Sequence, residues 1–436
     1  MDRVISDQLL SWKEKSNRKV LLLRGARQVG KTYSVRELGK SFKYYLEVNF
    51  ESDRTVHDFF QKDLDPRKII ENLSAYYATP IVEGETLLFF DEIQTCVPAI
   101  SSLRFFYEKL PKLHLLAAGS LIEFALNEIP SFGVGRIESL FMFPLSFDEF
   151  LMATGEHNLL MLRKKASPEK PLLEPIHNKL IDLLKRFLLI GGMPEVVKTY
   201  IETSDLLRVQ EILDQFIVSM NEDFAKYKKK LPASLLRAMF EGVVYNSGQK
   251  FKFTSMSEVA GFRQAKAALE LFEMAGLVYK VQHTAANGIP LGAEINPKKF
   301  KIILFDHGIF QRLSGLQLSD ILLAKDFTAI NKGNLAEQYA GMELIKNSSP
   351  AIKPRLFYWH REKRGSNAEV DYVLQIGDRI TPIEIKSGSQ GKMQSLFLML
   401  SEKKISQGVR VSLENFSRYD KISVYPLYGI NNIFNG

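Results

Sequence analysis

Through the first third of the chain, apolar runs of four to six residues alternate with longer stretches of helical period. This pattern predicts a parallel sheet with helices on its faces. The strand-like runs are Val20–Leu23, Tyr44–Asn49, Leu87–Phe90, Leu113–Ala118 and Leu140–Phe143. Ahead of them, Met1 to Trp12 mixes Asp2, Arg3 and Asp7 with apolar residues and reads as an amphipathic helix, not a signal peptide. From about Ser146 to Tyr245 the period is helical throughout, with a charged, Pro-containing loop at Lys164–Pro175. Between Phe253 and about Asn296 the pattern becomes helix, helix, then two strands around a polar loop. From about Phe327 it reads helix, strand, strand, helix, strand.

A chain of 436 residues is too long for one ordinary domain, so two to four are expected. Hydrophobic residues make up 45% and charged residues 25%, ordinary values for a folded chain. No apolar run approaches the roughly 18 residues a membrane span needs, so no membrane association is expected. Cys96 is the single cysteine, which excludes an intrachain disulfide and makes a reducing cytoplasm the simplest location. The formal charge of +8 permits a polyanionic partner such as DNA without requiring one.

Specific chemistry begins at Gly25-Ala26-Arg27-Gln28-Val29-Gly30-Lys31-Thr32, which fits G-x-x-x-x-G-K-[ST] without a mismatch. A strand precedes it and a helix can follow, as a phosphate-binding P-loop requires. Gly25 and Gly30 let successive N–H groups turn towards one point, and the helix N-terminus adds partial positive charge. Lys31 supplies a cation for the β- and γ-phosphates of ATP, and Thr32 a hydroxyl for Mg2+. Thr86–Glu92 reads as a buried strand ending in two carboxylates. Asp91 is placed to hold the ATP-bound Mg2+ through water, and Glu92 to act as general base on the attacking water. Ser120 ends the Leu113–Ala118 strand, where it can contact the γ-phosphate or the water. Arg136 is a further candidate cation for transition-state charge, from the same chain or from a neighbour in a homo-oligomer.

The stretches GARQVGKT, DEIQ, AAGS and GRIESLFMFPLSFDEF together resemble the prokaryotic AAA+-type ATPases joined to a C-terminal domain of unknown function. RFLLIGGMPEVV at 186–197, KIILFDHGIFQRL at 301–313 and NLAEQYAGMELI at 334–345 extend the resemblance over nearly the whole chain. The resemblance implies an AAA+ or related P-loop fold with a helical lid, a winged helix and often a nuclease-like C-terminus. The later stretches supply no mechanism. At Ala118-Gly119-Ser120-Leu121 relatives often carry further hydroxyl residues, so here a sensor role rests on Ser120 alone.

In the middle region, Ser255–Gly261 reads as a short helix and turn, and Phe262–Met274 as a longer helix with Ala265, Leu269 and Phe272 on one face. Leu277–Val281 is strand-like, and His283–Gly288 could form a wing. Arg263 and Lys266 would face outward, as groove insertion in DNA demands. Glu270 and Glu273 on the same helix would repel phosphates, which favours a packing module instead. The basic run Lys226–Lys230 is either a phosphate contact or a solvated helix face.

Near the C-terminus, Glu369–Ile376 alternates as a half-buried strand, Gly377-Asp378 suits a two-residue turn, and Arg379–Lys386 returns. Pairing Ile376 with Arg379 sets Asp371 opposite Glu384 and Glu369 opposite Lys386. Carboxylates facing each other across a ladder need a positive partner, so this pair predicts a second divalent metal, Mg2+ or Mn2+. Lys386 would help position water or stabilise phosphate charge. The Asp…Glu-x-Lys spacing resembles the PD-(D/E)XK nuclease core, in which an upstream helix adds an acid; Glu337 matches that position. The alternative is a salt-bridged hairpin in which Lys386 pairs with Glu369 and compensates both acids.

These readings divide the chain into a P-loop ATPase domain (1–148), a helical domain (149–248), a winged-helix region (249–325) and a PD-(D/E)XK-like domain (326–436). The predicted class is α/β, a P-loop NTPase (AAA+-like) parallel sheet followed by a helical lid, a winged helix and a small α/β nuclease-like domain. The leading functional expectation is Mg2+-dependent ATP hydrolysis coupled to action on DNA. The alternative is a nucleotide-gated interaction or signalling ATPase with a silent C-terminus.

Overall fold

The computed structural model describes residues 1–61, 63–129, 133, 135–224, 231–253, 260–316, 334–363, 365–388 and 393–435. The chain divides into two units.

The first unit contains Met1–Phe143 with two short later segments, Met274–Gly276 and Ser349–Lys353. Its sheet holds β1 (Val20–Arg24), β2 (Tyr44–Asn49), β3 (Thr86–Asp91), β4 (His114–Gly119) and β5 (Ile137–Phe141) in the order β2-β3-β4-β1-β5. All four neighbouring pairs are parallel. β3 and β4 are buried along their whole length, which is why their sequences read as unbroken apolar runs instead of alternating. Phe50, Phe60, Phe90 and Phe106 meet edge to face on one side of the sheet, with ring centroids 5.4–5.9 Å apart. The helix Pro66–Tyr77 starts at a proline and is capped by Asp65, whose carboxylate accepts from the Arg67 N–H. The opening amphipathic helix spans Ile5–Glu14 and buries Ile5, Leu9 and Trp12.

The fifth strand departs from expectation. The apolar run suggested 140–143, but the strand is Ile137–Phe141. β5 lies at the edge of the sheet, where half-buried Glu138 and Ser139 are tolerated, and Pro144, which has no N–H to donate, follows soon after.

The second unit comprises Pro144–Glu273, Leu277–Ser348 and Pro354–Gly436. Helices dominate from Phe147–Ala153 to Ala233–Tyr245. After them come β6 (Val278–Thr284), β7 (Ile295–Leu304), β8 (Leu356–His360), β9 (Glu369–Ile376), β10 (Arg379–Ile385), β11 (Gly408–Ser412), β12 (Ser417–Tyr419) and β13 (Ile422–Pro426). They form one mixed sheet in the order β12-β13-β11-β10-β9-β8-β6-β7. The strands assigned from sequence to residues 249–325 therefore share a sheet with those of 326–436, because β6 pairs in parallel with β8.

The helix Phe262–Met274 is present and buries Ala265, Ala268, Leu269, Leu271 and Phe272. Its outward Lys266 pairs with Glu270 at 3.9 Å. The preceding short helix, expected within Ser255–Gly261, falls largely on residues 254–259, outside the described residues, as does the basic run Lys226–Lys230. Among the described residues, no helix is long and apolar enough to cross a membrane.

Two of the recurring stretches without chemistry have a packing role in this unit. The helix Glu174–Ile190 ends at Gly191, with φ 76°, where a Cβ would lie 2.4 Å from Asp306 Oδ1 and 2.9 Å from Gly308 Cα. The Gly192 N–H donates to Asp306 Oδ2 at 2.7 Å, and the Ile309 N–H to Oδ1 at 3.0 Å. One buried aspartate thus ties the end of one helix to the start of the next, and the close approach admits only glycine.

Candidate nucleotide site and C-terminal ion-pair cluster

The parallel sheet directs three strand ends to one place. β4 lies between β1 and β3, so the residue after β4 emerges between the loop after β1 and the carboxylates ending β3. Gly25 has φ 149°, and a Cβ there would stand 2.2 Å from the Met142 carbonyl oxygen. Gly30, at φ 97°, caps the helix Lys31–Gly39 in a conformation that favours glycine. Gln28 also takes a positive φ, 62°. The eight residues Gly25–Thr32 thus form the turn from strand to helix N-terminus that suits a triphosphate.

Lys31 Nζ donates to the carbonyl oxygens of Gly25 at 2.9 Å and Ala26 at 2.7 Å, so the ammonium closes over its own loop. Burial pushes its pKa down to about 8, against the pull of Glu92 and Asp91. Thr32 Oγ1 donates to Asp91 Oδ2 at 3.0 Å, and Asp91 Oδ1 accepts from the Glu92 N–H at 3.1 Å. Burial raises Asp91 to about 6, opposed by the Thr32 hydrogen bond and reinforced by Glu92. A hydroxyl and a carboxylate within hydrogen-bond distance are the oxygen donors a hard divalent cation prefers, so this pair fits Mg2+.

Glu92 takes φ 49°, and its Oε2 accepts from Gln94 Nε2 at 2.5 Å and from Ser120 Oγ at 3.3 Å. The Arg27 Nε–H donates to Ser120 Oγ at 3.3 Å. Ser120, expected at phosphate or water, therefore faces the glutamate expected to be the base. Arg136 pairs with Glu108 on the helix Val97–Lys109. Gln94 was missed as a site residue. Gln94 is the last residue of the DEIQ stretch, and its proximity to the carboxylates was the available signal.

At the C-terminus the register matches the sequence. Arg379 pairs with Ile376, and the ladder runs to Ile383 opposite Tyr372. One further step sets Glu384 across from Asp371, whose Oδ2 accepts from the Ile385 N–H at 2.8 Å. Tyr372 Oη donates to the Glu337 carbonyl at 2.8 Å, which fixes the helix Asn334–Lys346 beside β9. Glu337, Asp371, Glu384 and Lys386 are thus brought to one region of the second unit.

The positive partner is a different group from the one expected. Lys301 of β7, its side chain 1% exposed, places Nζ 2.6 Å from Glu369, 2.8 Å from Glu337 and 3.5 Å from Asp371. Lys386 pairs with Glu384 at 2.6 Å, not with Glu369, which takes Lys250 at 3.0 Å as well as Lys301. Burial works against the Lys301 charge, but Glu337, Asp371 and Glu369 outweigh it and hold the ammonium well above its ordinary range. A divalent metal does not fit where the ammonium sits: the two cations would compete for the same oxygens. Among the described residues, no group of three His, Cys, Asp or Glu side chains is arranged to hold a metal ion. The second metal expected on Glu337, Asp371 and Glu384 is thus not shown, and a lysine stands among these acids.

Residues 17–151 match an AAA domain, and this part of the chain is an AAA-type P-loop ATPase domain. Residues 181–320 and 332–430 match two domains of unknown function, DUF8612 and DUF4143. Among the curated proteins none matches. A Walker-type ATPase of Pyrococcus abyssi is 14% identical over 72% of this chain and 95% of its own, with a TM-score of 0.45. The ORC1 protein of Aeropyrum pernix, solved in complex with DNA, is 13% identical over 71% and 90%, with a TM-score of 0.29. A signal-transduction ATPase with a tetratricopeptide repeat sensor from Pyrococcus horikoshii is 11% identical over 80% and 46%, with a TM-score of 0.27. With every one of these TM-scores below 0.5, the nucleotide assignment rests on the matched AAA domain and on the geometry of the site.

Proposed function

We propose that the chain binds ATP with Mg2+ and hydrolyses it, as a nucleotide-gated interaction or signalling ATPase. The observation that carries this reading is the convergence of Lys31, Thr32, Asp91 and Glu92 at the ends of β1 and β3. Mg2+ would be held by Thr32 and Asp91, and would offset phosphate charge when bound. Lys31 leaves two backbone carbonyls to meet the β- and γ-phosphates. Glu92 takes a proton from the attacking water, with Gln94 and Ser120 orienting its carboxylate. Arg136 would stabilise transition-state charge only after its ion pair with Glu108 opens, in its own chain or in a neighbouring copy.

The competing reading, action on DNA through a PD-(D/E)XK-like site with a winged helix, needs a metal among the C-terminal carboxylates. The buried ammonium of Lys301 in that place favours the gated reading.

Binding of ATP with Mg2+, followed by isothermal titration, tests the nucleotide site. Lys31→Ala should weaken it by at least about tenfold, since charge-assisted hydrogen bonds to phosphate are worth about 1.5–3 kcal/mol each. Unchanged affinity would contradict the assignment.

A further inference from the structure

Asp371 and Glu384 face each other across a ladder, and Glu337 and Glu369 close in beside them. Four carboxylates in one region repel one another unless cations lie between them. Three lysines do so. Lys250 and Lys386 approach from the more open side, with side chains 40% and 24% exposed, whereas Lys301 is sealed at the centre.

The path of Lys301 is unusual. It belongs to β7, while Glu369 and Asp371 belong to β9, with β6 and β8 intervening. Three strand spacings in a flat sheet amount to about 14 Å, near the limit that two extended side chains can bridge. Two of the three ladders between them show irregular register, at Gln282/His283 and between Phe357 and Trp359, where a strand departs from the regular ladder. Lys301 Nζ also lies 5.4 Å from the Tyr358 ring centroid, over β8. The lysine thus meets acids three strands further along the sheet.

A second observation marks the cluster as built for a cation. Glu384 keeps one oxygen, Oε2, buried without a hydrogen-bond partner among the described residues, while Oε1 takes Lys386 at 2.6 Å. The carboxylates thus retain acceptor capacity that the three ammonium groups do not fill.

We infer that Lys301 is a resident counter-cation standing in the place of a divalent metal. The native cluster takes neither Mg2+ nor Mn2+, and exchanging the ammonium for a small neutral side chain turns the same carboxylates into a divalent-cation site. An ammonium donates three hydrogen bonds at about 2.7–2.9 Å, whereas Mg2+ or Mn2+ would draw the oxygens closer and needs the volume that Nζ fills. The ion pairs at 2.6 and 2.8 Å are those of a lysine doing this work itself. The inference extends beyond the nucleotide reading and does not depend on it, since all its residues lie in the second unit.

The test uses the full chain without nucleotide, carrying Asp91→Asn so that the P-loop carboxylate contributes no metal signal. Mn2+ is the probe, read by equilibrium dialysis and by melting temperature against EDTA. The parent should bind no Mn2+ at this site and melt equally in both conditions. Lys301→Ser should melt lower in EDTA, bind one Mn2+ per chain and regain at least about 5 °C with Mn2+ in excess. Adding Asp371→Asn should abolish both effects. Lys301→Gln, which keeps most of the side-chain bulk, should fold and bind Mn2+ more weakly than Lys301→Ser. Stoichiometric Mn2+ binding by the parent that Asp371→Asn removes would overturn the inference. So would a folded Lys301→Ser or Lys301→Gln chain that binds no Mn2+. Should Lys301→Ser not fold, Lys301→Gln and the parent titration decide between these outcomes.

Discussion

Gly25 shows how one residue links backbone geometry to ligand binding. Its φ of 149° and the Met142 oxygen 2.2 Å from an imagined Cβ leave no room for a side chain. Gly25→Ala should therefore destabilise the first unit by about 1–3 kcal/mol and weaken ATP binding, because the loop must shift to relieve the clash. Chemical denaturation together with a nucleotide titration checks this; parental stability would show that the loop yields freely. The placement of Gly25, Gly30, Lys31 and Thr32 at a strand-to-helix turn was legible in the sequence because they lie within eight residues of one another. Lys301 was not. Alternation along β7 says which face a residue occupies, not which partner it meets, and its acids lie 36 to 70 positions further along the chain. Gln94 lay in plain view, but nothing in its spacing announced that its amide would turn back to Glu92.

Strands and turns were legible to differing degrees. The three central strands of the first sheet, β1, β3 and β4, stand within one or two residues of their apolar runs, since burial on both faces writes an unbroken signal. The β9–β10 register followed from a two-residue turn, which fixes pairing by geometry alone. By contrast, β8, β12 and β13 were not separated from their neighbours, being short strands of three to five residues that offer too few positions for an alternation to show. The helix His307–Leu313 carries its own pH dependence. His307 is fully buried against Phe187 and Tyr339, and its Nε2 lies 2.9 Å from the Phe187 carbonyl oxygen. Burial pushes its pKa down to about 4, with Asp306 opposing. The unfolded chain, with a histidine near 6.5, binds more protons, so this stability is present above about 6.5 and is lost as pH falls towards 4. The loss should reach about 3 kcal/mol. Denaturant melts between pH 7 and 4, compared with His307→Gln, check it; the same acid sensitivity in both chains would assign the effect elsewhere.

At the scale of the whole molecule, the sequence supplied a P-loop unit followed by further α/β structure, and the arrangement of strands redrew the rest. The proposed boundary near residue 325 separates regions whose strands form one sheet, because parallel pairing of β6 with β8 is a long-range fact that local periodicity does not encode. The carboxylates read as a metal site are there, in the expected register, but the molecule brings its own cation to them. These two outcomes move the chemical weight of the chain to the first unit. If ATP turnover is its chemistry, it depends on Glu92 as base and on Asp91 for Mg2+, and these two roles separate. Phosphate release from ATP by Glu92→Gln, measured beside the parent at saturating Mg2+, is the most direct test. The account predicts retained ATP affinity with turnover at least about 100-fold lower, the usual effect of losing a general base. Undiminished turnover in Glu92→Gln, or a parent that binds ATP but releases no phosphate above the uncatalysed rate, would contradict it.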